Sequence, residues 1–172
     1  MPRTRAETSK GKPLYTPAER ERRDSTVWTT IQGVLAPVQF LVFLVSLGFV
    51  LYYLATGAGF IAASASVVIK TLVLYAIMVT GSVWEKIVFG RWLFAPAFFW
   101  EDVFSMAVIA LHTAYVAALF TGFGTPVTQM LIALAAYAAY VINAVQFLLK
   151  LRAARLQEEA ERAAGGTAEV TP

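Results

Sequence analysis

Long runs of apolar residues dominate the pattern of this chain. Between Ser25 and Ile69 there is no Asp, Glu, Lys or Arg, and between Val103 and Leu149 the ionisable groups are His112 and tyrosines. Each run is far longer than the roughly 20 apolar residues that cross a bilayer as a helix. The pattern therefore predicts an all-α integral membrane protein, a bundle of four transmembrane helices. The spans lie at about 33–56, 61–89, 96–120 and 127–155.

The composition is typical of a membrane protein and excludes several kinds of catalytic and metal site. The 172 residues are 58% hydrophobic and 15% charged, whereas a soluble domain carries about 25% charged residues. The sequence contains no cysteine, which excludes disulfides, thiolate zinc sites and a cysteine nucleophile in this chain. It shows no glycine-rich phosphate loop and no nucleophile elbow. Because its basic residues lie mostly in tails and loops, we expect no nucleic-acid partner.

The first 24 residues form a polar tail with seven Lys or Arg and four acids. Thr16 as N-cap, Pro17 at the first helical position and Glu19 at the third predict a short surface helix over 17–24. Its basic groups would face anionic headgroups. The alternative is a tail that only sets the orientation of the protein. We expect residues 1–12 to be disordered.

The distribution of positive charge predicts how the protein sits in the membrane. The tails and the 86–95 loop hold almost all Lys and Arg, whereas 57–60 and 122–126 hold none. The positive-inside rule then places both termini in the cytoplasm. The predicted organisation is a cytoplasmic N-terminal tail, a four-span membrane domain over 25–156 and a flexible C-terminal tail over 157–172.

Polar residues inside the spans are candidates for function, because they are costly in a bilayer. Glu101, Ser105, His112 and Tyr115 share one face of the third span, with Glu101 and His112 about 16 Å apart along the axis. The alternative is that such side chains only join helices through hydrogen bonds. Polar stripes on the other spans comprise Gln32, Gln39 and Ser46; Thr71, Tyr75, Met78, Ser82 and Glu85; and Gln129, Tyr140 and Asn143.

The charged residues have simpler interpretations as well. Lys70 lies well inside the second span, so it either snorkels to an interface or meets a partner or a ligand acid. Lys86 and Arg91 suit anchors on the cytoplasmic side. Glu101 and Asp102 also suit the N-terminal end of the third helix, where negative charge is favoured.

His112 is the only histidine and falls near the middle of the membrane. As a neutral imidazole it can pair with a tyrosine or an asparagine. As a ligand it can form one axial bond to a porphyrin-type metal. A single histidine excludes a bis-histidine haem within one chain and a three-histidine zinc site.

The chain closely resembles the 2-vinyl (or 3-vinyl) bacteriochlorophyllide hydratase family of bacteriochlorophyll a biosynthesis. The resemblance covers about residues 14–156, in order. The matching stretches are LYTPAERERRDSTVWTTIQGVLAPVQFLVFLVSL at Leu14–Leu47, VVIKTLVLYAIMVTGSVWEKIVFG at Val67–Gly90, LFAPAFFWEDVFS at Leu93–Ser105, ALHTAY at Ala110–Tyr115, and the region that begins at Gln129 and ends with ALAAYAAYVINAVQFLLKLRAARL.

The resemblance implies a hydro-lyase of a bacterial inner, cytoplasmic or intracytoplasmic membrane. It implies addition of water to the C-3 vinyl group of chlorophyllide a or 3-vinyl bacteriochlorophyllide a, which gives a 1-hydroxyethyl group without a cofactor. The substrate is then a flat, mostly apolar magnesium tetrapyrrole with a propionate carboxylate, and other enzymes of the pathway are candidate partners. The rival functions are a tetrapyrrole-binding scaffold or assembly factor without catalysis, and a small dimeric haem membrane protein.

This substrate suggests roles for the polar residues. Acid-catalysed hydration needs a proton donor, a positioned water with a base, and a slot for the ring. We expect Glu101 and Asp102 to be acid and base, with Glu85 in reserve, and His112 to ligate the substrate's magnesium or order the water. No metal site of the protein's own is expected. The candidate substrate-binding residues are Arg91 or Lys86 for the propionate, and Trp84, Trp100, Tyr140, Asn143 and Lys70 around the ring.

Overall fold

The computed structural model describes residues 13–168, and all regular structure within this range is helical. The predicted disorder of residues 1–12 lies outside the described residues, as do residues 169–172. The five helices are α1 (Pro17–Ser25), α2 (Val27–Thr56), α3 (Phe60–Phe89), α4 (Phe99–Thr121) and α5 (Pro126–Ala168).

Four of the helices, α2 to α5, are long and apolar enough to cross a membrane. Short connections make α2 and α3 one antiparallel hairpin and α4 and α5 a second one. The two hairpins pack side by side, α2 against α5 and α3 against α4, which closes a four-helix bundle. The predicted fold class, an all-α membrane protein with four spans, is confirmed.

Two helices begin at other residues than the sequence predicted. Thr26 caps α2, because its side chain accepts a hydrogen bond from the backbone N–H of Trp28. Pro37 therefore lies inside α2 rather than near its start, and it leaves the carbonyl of Gly33 without its helical partner. In contrast, α4 begins at Phe99 rather than at Pro96, which lies in the turn that precedes the helix.

One end of the bundle carries most of the charge; we call it the charged end. It comprises residues 13–25, the 90–98 loop and α5 beyond Lys150. Helix α1 begins with a capping box formed by Thr16 and Glu19. It packs against the end of α3, where the Nε of Arg22 donates to the carbonyl of Val88 at 2.8 Å. Helix α5 continues without a break past residue 157, where the sequence predicted the start of a flexible tail.

The interior of the bundle is polar along part of its length. The stripe predicted on α4 is buried and includes Glu101, Ser105, His112 and Tyr115. On α3, Thr71 and Glu85 of the predicted stripe are buried, whereas Tyr75 is half-buried and Lys70, which lies outside that stripe, is buried. Polar contacts cross the interior from helix to helix: Ser46 to Ser66 and Tyr137, Asn143 to Ser105, and Lys150 to Glu101.

Candidate active site at the charged end

Two carboxyl groups from different helices meet beneath the 90–98 loop. Glu85 lies one turn before the end of α3, and Asp102 lies in the first turn of α4. The backbone N–H of Phe94 donates to Oδ2 of Asp102 at 2.7 Å, and that of Ala95 donates to Oε2 of Glu85 at 3.2 Å. Glu85 is 6% exposed and Asp102 is 3% exposed. We call these two groups the acid pair.

The two carboxyl groups of the acid pair are neighbours, because they accept from the adjacent backbone N–H groups of Phe94 and Ala95. A carboxylate only accepts hydrogen bonds, so two buried neighbours of this kind can bond to each other only when one of them carries a proton. Two acids that share a proton supply a donor and an acceptor in one place. The arrangement is therefore suited to general acid and base chemistry.

The loop that covers the acid pair has an unusual backbone. Phe94 has a φ of 58°, in the left-handed region that glycine normally occupies. A bulky residue adopts this conformation only when its surroundings hold it there. The bonds from Phe94 and Ala95 to the two carboxyl groups are such a restraint, so the acid pair and the loop fix each other.

Glu101 and Asp102 were expected to form the acid and base, but the structure gives them different partners. The Nζ of Lys150 on α5 lies 2.5 Å from Oε2 of Glu101. Lys150 also lies 5.0 Å from the ring centre of Phe98. Glu101 is thus held as the partner of a cation, whereas Asp102 lies beside Glu85 beneath the loop.

Exposed aromatic rings and two cations surround the loop on the outside of the bundle. Trp92, Phe94, Phe99 and Trp100 are between 37% and 66% exposed, and the rings of Phe94, Phe99 and Trp100 contact one another in sequence at 5.8 and 5.5 Å. We call these four side chains the aromatic face. Lys86 donates to the carbonyl of Gly90 at 2.9 Å and lies 6.0 Å from the ring centre of Trp92. Arg91 is exposed.

A second aromatic cluster is buried on the inner side of the loop. Trp84, which was expected to line the substrate slot, packs edge-on against Phe89 and Phe98 and donates to Thr29 at 2.9 Å. Tyr15 stacks on Phe89 with ring centres 5.8 Å apart, beneath the guanidinium of Arg23. Burial raises the pKa of Tyr15 to about 12, so its phenol is neutral at physiological pH.

The remaining candidates lie deeper in the bundle. Lys70 is fully buried rather than snorkelling, with its Nζ 3.9 Å from the ring centre of Tyr140. His112 is also fully buried, and its Nδ1 bonds to the carbonyl of Val108 at 2.8 Å. Asn143 donates to Ser105 at 2.9 Å. His112 lies ten residues from Asp102, about 15 Å along α4, whereas Asn143 meets α4 nearer to the acid pair, at Ser105.

Two residues of the site were missed by the sequence analysis. The sequence pattern assigns no role to Lys150 or Tyr15. The signal for Lys150 was its position as the first cation after a long uncharged run. Its partner Glu101 is 49 residues away, so only the packing of α4 on α5 identifies the pair.

The fold and this site together define a four-span membrane protein with a pair of neighbouring buried acids under a loop at one end of its bundle. The chain belongs to the 2-vinyl bacteriochlorophyllide hydratase family, whose profile matches residues 15–153. This confirms the resemblance seen in the sequence.

Two relatives make the relationship specific. The 2-vinyl bacteriochlorophyllide hydratase of Cereibacter sphaeroides is 69% identical over 147 residues, which are 86% of this chain and 91% of that protein. The protein of the same name from Rhodobacter capsulatus is 66% identical over 152 residues, 88% of each chain. No solved structure matches this chain.

Proposed function

We propose that this protein is a hydratase that adds water to the vinyl group of a bacteriochlorophyllide or chlorophyllide. Its high identity to relatives that carry this name over most of their length supports the activity. The observation that carries the mechanism is the buried acid pair of Glu85 and Asp102 beneath the 90–98 loop. We place the protein in a bacterial photosynthetic membrane, with the charged end towards the cytoplasm.

Helix ends assign the two roles within the acid pair. Asp102 lies in the first turn of α4, where backbone N–H groups and the helix dipole stabilise a carboxylate. Glu85 lies near the end of α3, where the dipole opposes negative charge. The shorter backbone bond also goes to Asp102, at 2.7 Å against 3.2 Å for Glu85. Glu85 then holds the proton and is the acid, and Asp102 is the base.

The reaction follows from this assignment. Glu85 gives its proton to the terminal vinyl carbon, and the positive charge that forms on the inner carbon is delocalised into the macrocycle. The oxygen of a water molecule bonds to that inner carbon, and Asp102 accepts the proton that the water loses. Transfer of this proton across the acid pair restores Glu85. The balance is one alkene and one water converted to one 1-hydroxyethyl group.

The aromatic face outside the loop suits the tetrapyrrole. Trp92, Phe94, Phe99 and Trp100 offer apolar ring surface for a flat macrocycle, and Arg91 or Lys86 offers a cation for its propionate. Phe94 belongs both to this face and to the backbone that covers Asp102. A macrocycle on the aromatic face therefore brings its edge towards the acid pair, once the strained loop shifts. Trp84 supports the loop from the inside in this arrangement.

The acid pair is tested by Glu85→Gln and Asp102→Asn in isolated membranes supplied with the vinyl substrate. Each variant keeps the size of its side chain but removes the proton donor or the base, so we expect the rate of hydration to fall about 10²- to 10⁴-fold. Product is measured as the gain of one water by mass. Binding of substrate, followed by its absorption spectrum, should persist in both variants.

The outcomes of this experiment distinguish an error in the proposed activity from an error in the assigned catalytic residues. If wild-type protein binds the tetrapyrrole without converting it, the protein is a scaffold and the proposed activity is wrong. If the wild type is active and both variants keep full activity, the assignment of the acid pair is wrong. A reducible Soret band in protein purified without added tetrapyrrole would instead identify a haem protein.

A further inference from the structure

Polar side chains follow one face of α5 from the middle of the bundle to the charged end. Tyr140, Asn143, Gln146 and Lys150 are spaced by three or four residues, which places them on one face of a helix. They span about 15 Å along its axis. Each of three has a partner on a neighbouring helix: Lys70 lies over Tyr140, Asn143 bonds to Ser105, and Lys150 bonds to Glu101. We call this row the polar ladder.

Several buried atoms around the polar ladder lack a hydrogen-bond partner within residues 13–168. The atoms are Gln39 Oε1, Lys70 Nζ, His112 Nε2, Asn143 Oδ1 and Gln146 Oε1. Gln39 lies at the level of the polar ladder in the bundle. Phe43 on α2 contacts Tyr140 with ring centres 5.0 Å apart, and Gln39 lies one turn of α2 nearer the charged end. Lys70, His112 and Gln39 are at most 3% exposed. The five atoms come from all four membrane helices.

The chemistry of these five atoms identifies what they bind. The Nδ1 of His112 meets the carbonyl of Val108, so it carries the proton and Nε2 is an acceptor. The three amide oxygens are acceptors too, whereas Lys70 Nζ is a donor. A ligand for this set must donate to four atoms and accept from the fifth. Leaving such groups unsatisfied costs about 1 to 3 kcal/mol each, and water is the small molecule that both donates and accepts.

We propose that a file of water molecules runs along the polar ladder, from Lys70 and His112 to the acid pair, and that it delivers the water used in hydration. The water sites rest on the unpartnered atoms alone; only their role in delivery rests on the proposed function. Hydration consumes one water per turnover at a site that the 90–98 loop covers. A hydrated interior supplies that water while the loop and the macrocycle close the site from outside.

The water sites are tested by radiolytic hydroxyl-radical labelling of the protein in H₂¹⁸O, in detergent or nanodiscs. Radicals formed from bound water oxidise adjacent side chains, so Tyr140 and His112 should incorporate ¹⁸O. In Asn143→Leu/Gln146→Leu, apolar side chains interrupt the ladder, and this labelling should fall to background. The matched control is Gln129→Leu, which removes a buried amide at the opposite end of the bundle and should leave the labelling intact. Tyr53, as buried as Tyr140 at 8% exposure, is the internal reference.

A kinetic measurement tests delivery separately. The double variant should lower kcat for hydration at saturating tetrapyrrole and leave KM unchanged, because it affects water and not the macrocycle. Absence of ¹⁸O at Tyr140 and His112 in the wild type overturns the proposal, and so does labelling that survives in the folded double variant. If labelling occurs but no hydration is found in the wild type, the water file stands and the proposed function fails.

Discussion

Adjacent residues on a helix point in directions about 100° apart, so the side chains of Glu101 and Asp102 contact different helices. Glu101 faces α5 and meets Lys150, whereas Asp102 faces α3 and meets Glu85. The same backbone turn thus provides one half of an ion pair and one half of an acid pair. The ion pair fixes α4 against α5 beside the site, which holds Asp102 at the level of Glu85.

Removing one member of the ion pair should be costly. In Lys150→Met, Glu101 keeps a buried carboxylate without its cation, so we expect the free energy of unfolding to fall by about 3 kcal/mol. The double variant Glu101→Gln/Lys150→Met removes both charges and should recover most of this loss. Thermal unfolding in detergent measures both. The double variant should also keep hydratase activity, because Glu101 is not the acid in the proposed mechanism.

The control for this experiment is Arg152→Met, which removes an exposed cation from the same helix. It should leave the unfolding temperature almost unchanged. If Lys150→Met is as stable as this control, the ion pair between Glu101 and Lys150 does not stabilise the fold. If the double variant is stable but inactive, Glu101 has a chemical role and the acid pair must be revised.

At the scale of helices, residues 13–25 act as a strap across the charged end. Glu158 of α5 accepts from Arg23 at 2.8 Å and lies 3.5 Å from Arg20. Tyr15 inserts among the buried rings that support the 90–98 loop. The strap therefore contacts both α3 and α5 on the inner side of the site. A strap that opens would let bulk water reach the loop that covers the acid pair.

Glu158→Gln should loosen the strap while leaving its trypsin sites intact. Loss of the two partly exposed ion pairs is expected to cost about 1 kcal/mol, which raises the open population about fivefold. Cleavage by trypsin within residues 20–23 should accelerate by the same factor when opening is fast relative to cleavage. The measurement is the rate of loss of intact chain on a gel.

The neighbouring substitution Glu159→Gln is a matched control, because Glu159 is exposed on the same turn of α5. It should leave the cleavage rate unchanged. Equal rates for the two variants would mean that packing of Tyr15, and not the ion pairs, holds the strap.

Local features were predictable from the sequence, and contacts between distant helices were not. The Thr16 cap of α1 and the buried stripe on α4 follow from residue types at fixed spacings, which act within one or two turns. The pairing of Glu85 with Asp102 depends on a loop whose φ at Phe94 no pattern of residue types indicates. The burial of Lys70 on α3 likewise depends on the neighbouring helices, and the apolar pattern of α3 itself does not determine it.

At the scale of the whole molecule, the two ends of the bundle differ in charge and in chemistry. The acid pair, the aromatic face and the strap all lie at the charged end, whereas the connections at 57–59 and 122–125 contain no Lys or Arg. A positively charged end is retained in the cytoplasm during insertion. The proposed site would then open towards the side on which a soluble or loosely bound tetrapyrrole carboxylate is accessible to Arg91 and Lys86.

This orientation can be tested cleanly because the chain has no cysteine. Ala58→Cys places a thiol in the connection between α2 and α3, and Glu159→Cys places one on the exposed surface of α5 at the charged end. A membrane-impermeant maleimide added to intact spheroplasts should label Ala58→Cys at once, and Glu159→Cys only after the membrane is permeabilised. The opposite labelling pattern would mean the reverse orientation in the membrane, because residues 13–25, the last turns of α5 and the acid pair lie at the same end of the bundle. The proposed entry of substrate from the cytoplasm would then be wrong, while the pairing of Glu85 with Asp102 would be unaffected.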